Sequence, residues 1–190
     1  MNDAVQQHPI PLCQPDEVPA LCGKRLEFDS VAQMFATRAK EVSKRCHVIY
    51  YDQKITYEQT NDRANRVAHF LLEEGIQKGD VVSLMISNSP EIYYAMLGAQ
   101  KIGAIAGIIN FALMSPEIAH VLNDSKPKVV FVGSDFMPVF SKGYDLADHK
   151  PVVVEVTAKT EKAAAIAKLT LSEILHTRPC EETLVDQCLD

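Results

Sequence analysis

The chain has 190 residues, 47% of them apolar and 23% charged, and a formal net charge of −6. That composition excludes chain-wide disorder, and the length suits one compact domain with a real core. The 25 acidic against 19 basic residues include no run of five like charges, which argues against a nucleic-acid partner, since such a partner is held through its phosphates by basic surfaces. The five cysteines (Cys13, Cys22, Cys46, Cys180, Cys188) form no C-x-x-C pair and are odd in number. They read as reduced thiols of a cytosolic protein, not as a zinc ribbon or a disulfide framework. The six histidines are equally scattered, so no metal site is expected.

Residues 1–26 lack the basic start and apolar stretch of a signal peptide. Pro9, Pro11, Pro15 and Pro19 mark them as an extended, proline-rich arm. A helix opens at Asp29 or Ser30, with Val31, Met34, Phe35, Ala39 and Val42 at helical spacing. Residues 47–51 (HVIYY) and 55–57 (ITY), joined by a turn at 52–54, predict a hairpin. Thr56 and Gln59 have capping-box spacing for the next helix. Its inner face is expected to hold Ala64, Val67, Ala68, Leu71 and Leu72, its outer face Asn65 among the charged residues, and Gly75 its end.

Residues 81–86 (VVSLMI) form a nearly continuous apolar run, as in a strand covered on both faces. Ser89, Pro90 and Glu91 open a helix that stops at Gly103. Residues 104–109 (AIAGII) are expected to be a second buried strand, followed by a helix from Ser115-Pro116-Glu117. Residues 128–132 and 151–156 are further strands, with a short helical stretch at 135–140 between them. The alternation predicts an α/β fold, doubly wound, with a mostly parallel sheet, right-handed crossovers, helices on both faces and a small hairpin. The organisation is an arm (1–26), an α/β subdomain (27–160) and a helical or loop tail (161–190), in which 161–171 is read as a helix with one further turn to 176. Residues 92–114 make a poor membrane span because Gln100, Lys101 and Asn110 interrupt them, although Gly103 and Gly107 have G-x-x-x-G spacing.

Doubly wound sheets bind ligands at the carboxyl ends of their strands, often through glycine-rich loops. No G-x-G-x-x-G occurs. Gly98 and Gly103 have P-loop spacing, but Ala104-Ile105 follow where a lysine and a hydroxyl are required. No G-x-S-x-G elbow is present. Asp52, Asp62, Asp80 and Glu91 sit where turns, caps and solvated faces place acids, and His120 reads as a satisfied, partly buried histidine. The residues alone nominate no catalytic, cofactor-binding or metal-binding position.

The segment from Ile55 to Val132 resembles the opening domain of the adenylate-forming superfamily, which includes acyl-CoA synthetases, luciferases and peptide-synthetase adenylation domains. The likeness lies in the order and spacing of ITY, ANRVA, GIQKGDVV, the NSPE turn and G-A-x-K-x-G-A before a strand ending in Asn110. IINFAL followed by IAHVL is nearest to the fatty-acyl and carnitine-CoA ligase type. The resemblance implies a two-step ligation using ATP, magnesium and coenzyme A, with a carboxylic acid as substrate and the remaining domains of a parent enzyme as partners. It also implies that 161–190 lead toward a phosphate loop the sequence lacks, so the chain is expected to be an inactive N-terminal portion, open to self-association and to peripheral membrane contact. An aryl-CoA ligase, a luciferase-like enzyme and a non-catalytic binding module are the alternatives.

Overall fold

A computed structural model of the protein describes residues 28, 30–157 and 164–185; the proline-rich arm lies outside them. The first helix, α1 (Val31–Glu41), is capped by Ser30, whose hydroxyl accepts the Gln33 amide at 3.1 Å. Its buried stripe is Ala32, Phe35, Ala36 and Ala39, whereas Val31 and Met34, expected inside, are 56% and 42% exposed. The stripe is turned because α1 packs through Phe35 and Ala39 onto Ala64 and Leu97 of the following helices. The hairpin pairs β1 (Cys46–Tyr50) with β2 (Gln53–Thr56) in antiparallel fashion, one step tighter than expected, because Tyr51 takes a left-handed φ of 50°.

Helix α2 (Tyr57–Glu73) begins with the expected capping box, Thr56 and Gln59 each bonding the other's backbone amide. Val67, Ala68, Phe70 and Leu71 enter the main core, Leu72 is 40% exposed, and Thr60, Asn61 and Asn65 are buried. The placing of Asn65 on a solvated face is thus corrected. Elements cover α2 on more than one side, which period-based reading of a single stripe does not foresee.

The five-stranded sheet has the order β4-β3-β5-β6-β7, all parallel, from β3 (Val81–Met85), β4 (Ile105–Ile108), β5 (Val129–Gly133), β6 (Val152–Val156) and β7 (Leu169–Thr170). Leu84 lies opposite both Ile108 and Phe131, and Val130 opposite Val153. Successive side chains take opposite faces. Val82, Leu84, Val129, Phe131, Val154 and Val156 meet α2, α3 (Pro90–Lys101) and α6 (Leu171–Thr177). Met85, Val130, Val132 and Val153 meet α4 (Ser115–Ser125) and α5 (Met137–Leu146). A doubly wound α/β sheet results, as expected.

Three other expectations change. The strand at 104–109 is an edge strand, with Ile105 and Ile108 exposed, because β3 takes the place beside β5. His120 is exposed because the buried stripe of α4 is Ile118, Ala119 and Leu122. Of the helix expected over 161–171, residues 161–163 lie outside the described residues and 164–170 are not helical: a loop leads to β7, and α6 follows from Leu171 under a capping box of Thr170 and Glu173.

Each helix pair closes over a glycine. A Cβ on Gly98 would lie 2.7 Å from the Val67 side chain and 2.9 Å from the Ala64 carbonyl, and one on Gly143 would lie 2.8 Å from Ile118. Gly98→Ala is therefore expected to cost about 1–3 kcal/mol through overpacking. Urea unfolding followed by circular dichroism measures this, and an unchanged midpoint would show that α2 and α3 separate freely.

Candidate functional site

The winding of the sheet reverses between β3 and β5: β4 follows β3 to one side, and β5 returns to the other. In open α/β sheets that reversal leaves a crevice at the carboxyl ends of the two strands. A cleft of about 380 Å³ lies there. Its walls are Ile86, Ser87 and Ser89 after β3, residues 133–136 after β5, and Val156 and Thr157 after β6, with Tyr50 and Gln53 of the hairpin opposite.

Local sequence builds each wall. Ser89 stands at the N-cap of α3 with φ −150°, but its hydroxyl makes no capping bond; Pro90 and Glu91 fill the first turn as expected. Gly133 ends β5, and a Cβ there would meet the Phe136 ring at 3.2 Å. Phe136 in turn stacks on Phe111, ring centroids 5.1 Å apart. Ser134 opens a short 3-10 turn, Ser134–Phe136, and its hydroxyl donates to the Val156 carbonyl at 3.2 Å, tying the ends of β5 and β6 together.

Among the described residues, the ionisable groups on the cleft walls are Tyr50, Glu91 and Asp135, with no lysine, arginine or histidine. A polyphosphate needs donors and positive charge. Among the described residues no group of three His, Cys, Asp or Glu is placed to hold a metal ion. The walls therefore do not by themselves fit a triphosphate or magnesium.

A second hollow of about 420 Å³ lies beside the first and shares Gln53 and Glu91 with it. Gln59, Asp62, Arg63, Arg66, Tyr94 and His176 complete its polar lining. Arg63 donates to the Tyr94 hydroxyl and lies 5.0 Å from that ring's centre, while Arg66 donates to the Arg178 carbonyl. Burial raises the Asp62 carboxyl above its ordinary range, with the Glu58 charge adding to it.

The deepest charge lies elsewhere. Lys101, at the end of α3, is 0% exposed and pairs with Glu182. Glu182 also accepts from Asn61 Nδ2 at 2.9 Å, and Asn65 Nδ2 donates to the Cys180 carbonyl at 2.8 Å. His69 lies 2.9 Å from the Thr183 hydroxyl, and the Val185 amide donates to the Lys101 carbonyl at 3.0 Å. Residues 178–185 thus form a strap across α2 and α3, held by polar contacts. Burial lowers the Lys101 ammonium pKa although Glu182 opposes the shift. Burial pushes Glu182 up, but hydrogen bonds from Lys101 and Asn61 outweigh it and hold the carboxyl below its ordinary value.

Of the acids singled out in the sequence, Asp52 is exposed at the hairpin turn, and Asp80 is structural, bonded to Lys128 at 2.6 Å and to the Gln77 amide at 2.7 Å. Asp62 lines the second hollow, and Glu91 lines both. Gly98 faces Val67 and Gly103 turns beside Lys78 with φ 75°, so neither cradles a phosphate. Reading the sequence missed the 133–136 corner and the buried lysine. A lone lysine within the apolar stretch 92–114 was the available signal, since a buried ammonium needs a partner.

The profile of the AMP-binding enzyme family matches residues 35–187. The chain is 46% identical over 104 residues to the long-chain-fatty-acid–CoA ligase FadD13 of Mycobacterium tuberculosis, covering 55% of this chain and 21% of that one. It is 30% identical over 116 residues to the crotonobetaine/carnitine–CoA ligase of Citrobacter koseri, covering 61% and 22%. The crystal structure of the anthranilate CoA ligase AuaEII in complex with anthranoyl-AMP shares the fold at a TM-score of 0.74 and 22% identity, over 81% of this chain and 29% of that one. The chain spans about a fifth of the length of the curated relatives it matches.

Two outcomes follow for the strap. Glu182→Ala leaves Lys101 buried and unpaired and is expected to cost about 3 kcal/mol, whereas Lys101→Met leaves Glu182 partly exposed and still bonded to Asn61 and is expected to cost less. Equal losses in urea titrations of the two would refute the asymmetry. Glu182, Asp80 and Glu173 all have carboxyl pKa values held low by hydrogen bonds. A depressed carboxyl stabilises the fold above its unfolded value and loses that contribution as pH falls through the folded one. Asp62, raised by burial, acts in the opposite sense. With three against one, Tm is expected to fall as pH drops below about 4.3, the ordinary glutamate value. Melting curves from neutral to acid pH test this, and a level Tm would refute it.

Proposed function

The chain belongs to the AMP-binding enzyme family, and from that premise we propose that it is the N-terminal α/β portion of an ATP-dependent acyl-CoA synthetase acting on a fatty acid. The observation that carries the reading is the family match over residues 35–187, which spans the whole parallel sheet and the strap. The fatty-acid choice is supported by the identity to the mycobacterial long-chain ligase.

In the reaction, a carboxylate oxygen attacks the α-phosphorus of ATP and pyrophosphate leaves, giving an acyl-adenylate. The thiol of coenzyme A then attacks the acyl carbon and AMP leaves with the bonding electron pair, giving the thioester. This chain's part is architectural. It supplies a rigid sheet, a crevice at the carboxyl ends of β3 and β5, and hydroxyl and amide groups on its rim. Among the described residues no group that neutralises phosphate stands on that rim, and this reading assigns such groups to other parts of the enzyme.

Coenzyme-A-dependent AMP release, measured with carboxylic acids of graded length, tests the reading. The product of an extended reading frame is expected to turn over long-chain acids, and the 190-residue chain none. Turnover confined to aromatic acids would replace the fatty-acid reading with an aryl-CoA ligase, and silence from the extended product would overturn the enzyme reading.

A further inference from the structure

Residues 178–185 lie over α2 and α3 without adding a side chain to the hydrophobic clusters of the fold. Their aliphatic residues, Leu184 and Val185, are 41% and 38% exposed, and Pro179 is exposed as well. What holds them is polar. Glu182 meets Lys101 and Asn61, the Cys180 carbonyl meets Asn65, the Thr183 hydroxyl meets His69, and the Val185 amide meets the Lys101 carbonyl. Even that fit is incomplete. Asn61 Oδ1 and Asn65 Oδ1 are buried, and among the described residues neither meets a donor. An unmatched buried acceptor weakens the closed arrangement, because the same oxygen is satisfied once water reaches it.

The strap begins where α6 ends. Leu171 and Ile174 of α6 are buried in the main core, whereas Arg178 leaves the helix with an extended backbone (φ −94°, ψ 151°) and Pro179 follows it. Helix α6 therefore stays anchored when the residues after it move. Lifting the strap uncovers chiefly the amides of Asn61 and Asn65 and the ammonium of Lys101, all groups that water solvates. Little apolar surface is exposed, and an opening of that kind lies well below global unfolding in free energy.

We propose that residues 178–185 open and close as one unit on a folded α2–α3 pair, a polar latch that masks or presents the Lys101 amine. The latch does not depend on the ligase reading. Glu182 is its centre, since its carboxylate joins Asn61 of α2 to Lys101 of α3. From the elements packed against it, Glu182 is faced by Lys101, by Lys40 of α1 and by Asp62 of α2, and of these Lys101 is in contact. Hydrogen bonds hold the Glu182 carboxyl below its ordinary value. The closed state is therefore favoured above that ordinary value, and it loses this contribution as pH falls through the lower, folded one.

Two readouts on the 190-residue chain, taken in urea below the unfolding transition, test the latch. One is acylation of Lys101 by a succinimidyl ester, located by peptide mass and scaled to Lys44, whose side chain is 81% exposed. The other is hydrogen exchange of the Val185 amide. Both are expected to give the same opening constant, nearly independent of urea. That constant is expected to be on the order of 100-fold larger than the one read at the Phe131 amide in the central strand β5, which rises steeply with urea. Glu182→Gln is expected to enlarge the opening constant roughly tenfold at neutral pH. It is also expected to abolish the acid-induced loss of Val185 protection, which the wild type shows below about pH 4.3. A parallel urea dependence at Lys101, Val185 and Phe131 would mean that the strap leaves only on global unfolding, and would overturn the latch. Free exchange at Val185 with Lys101 unlabelled would replace it with fraying residue by residue. An acid response that survives in Glu182→Gln would remove Glu182 from its centre and refute the proposal as stated.

Discussion

Close contact between α2 and α3 at Gly98 is the constraint to which the rest of the fold is fitted. With hydrogen in place of a side chain, Val67 and the Ala64 carbonyl come within reach of the α3 backbone. The two helices then act as one slab over Val82, Leu84 and Phe131 of the sheet. That slab presents a second surface outward. Ala64 and Leu97 receive Phe35 of α1, while Asn61, Asn65 and Lys101 receive the strap. One helix pair is thus buried on its inner side by hydrophobic contact and covered on its outer side by hydrogen bonds and a buried ion pair.

The distribution of charge follows the same division. Acids and hydroxyls line the cleft at the carboxyl ends of the strands, and arginines gather beside it, where a tyrosine ring and a backbone carbonyl already engage them. The lysine on α3 is committed to a carboxylate. Among the described residues the cleft is thus a shaped floor with no cationic side chain on its walls.

Much of the architecture was legible in the sequence. The period-2 and period-3.6 patterns, Thr56 with Gln59, Gly75, and the Pro90-Glu91 start located the elements from β1 to β6 within a few residues. What was not legible depended on neighbours distant in sequence. Asn65 looked like a surface residue because the strap that buries it lies 115 residues away. The run AIAGII looked interior because its composition is interior, yet strand order put it at an edge. His120 and Val31 were misplaced because one stripe per helix was assumed, and its phase depends on which helix lies across from it. The cleft was invisible as a motif because its walls are single residues from three strand ends and a hairpin, carrying no shared spacing.

The strap also constrains the order of folding. Its bonds join α2 to residues 121, 115 and 112 positions further on. The hairpin, α2, β3, α3 and β4 are by contrast assembled from contacts between close neighbours in sequence, which form first because little loop entropy opposes them. During synthesis the α2–α3 slab is complete while residues 178–185 are still to be made, so Lys101 first settles in water with no carboxylate at hand. Its burial is the closing event, because residues 178–185 must be made and clear of the ribosome before that lysine can be locked in.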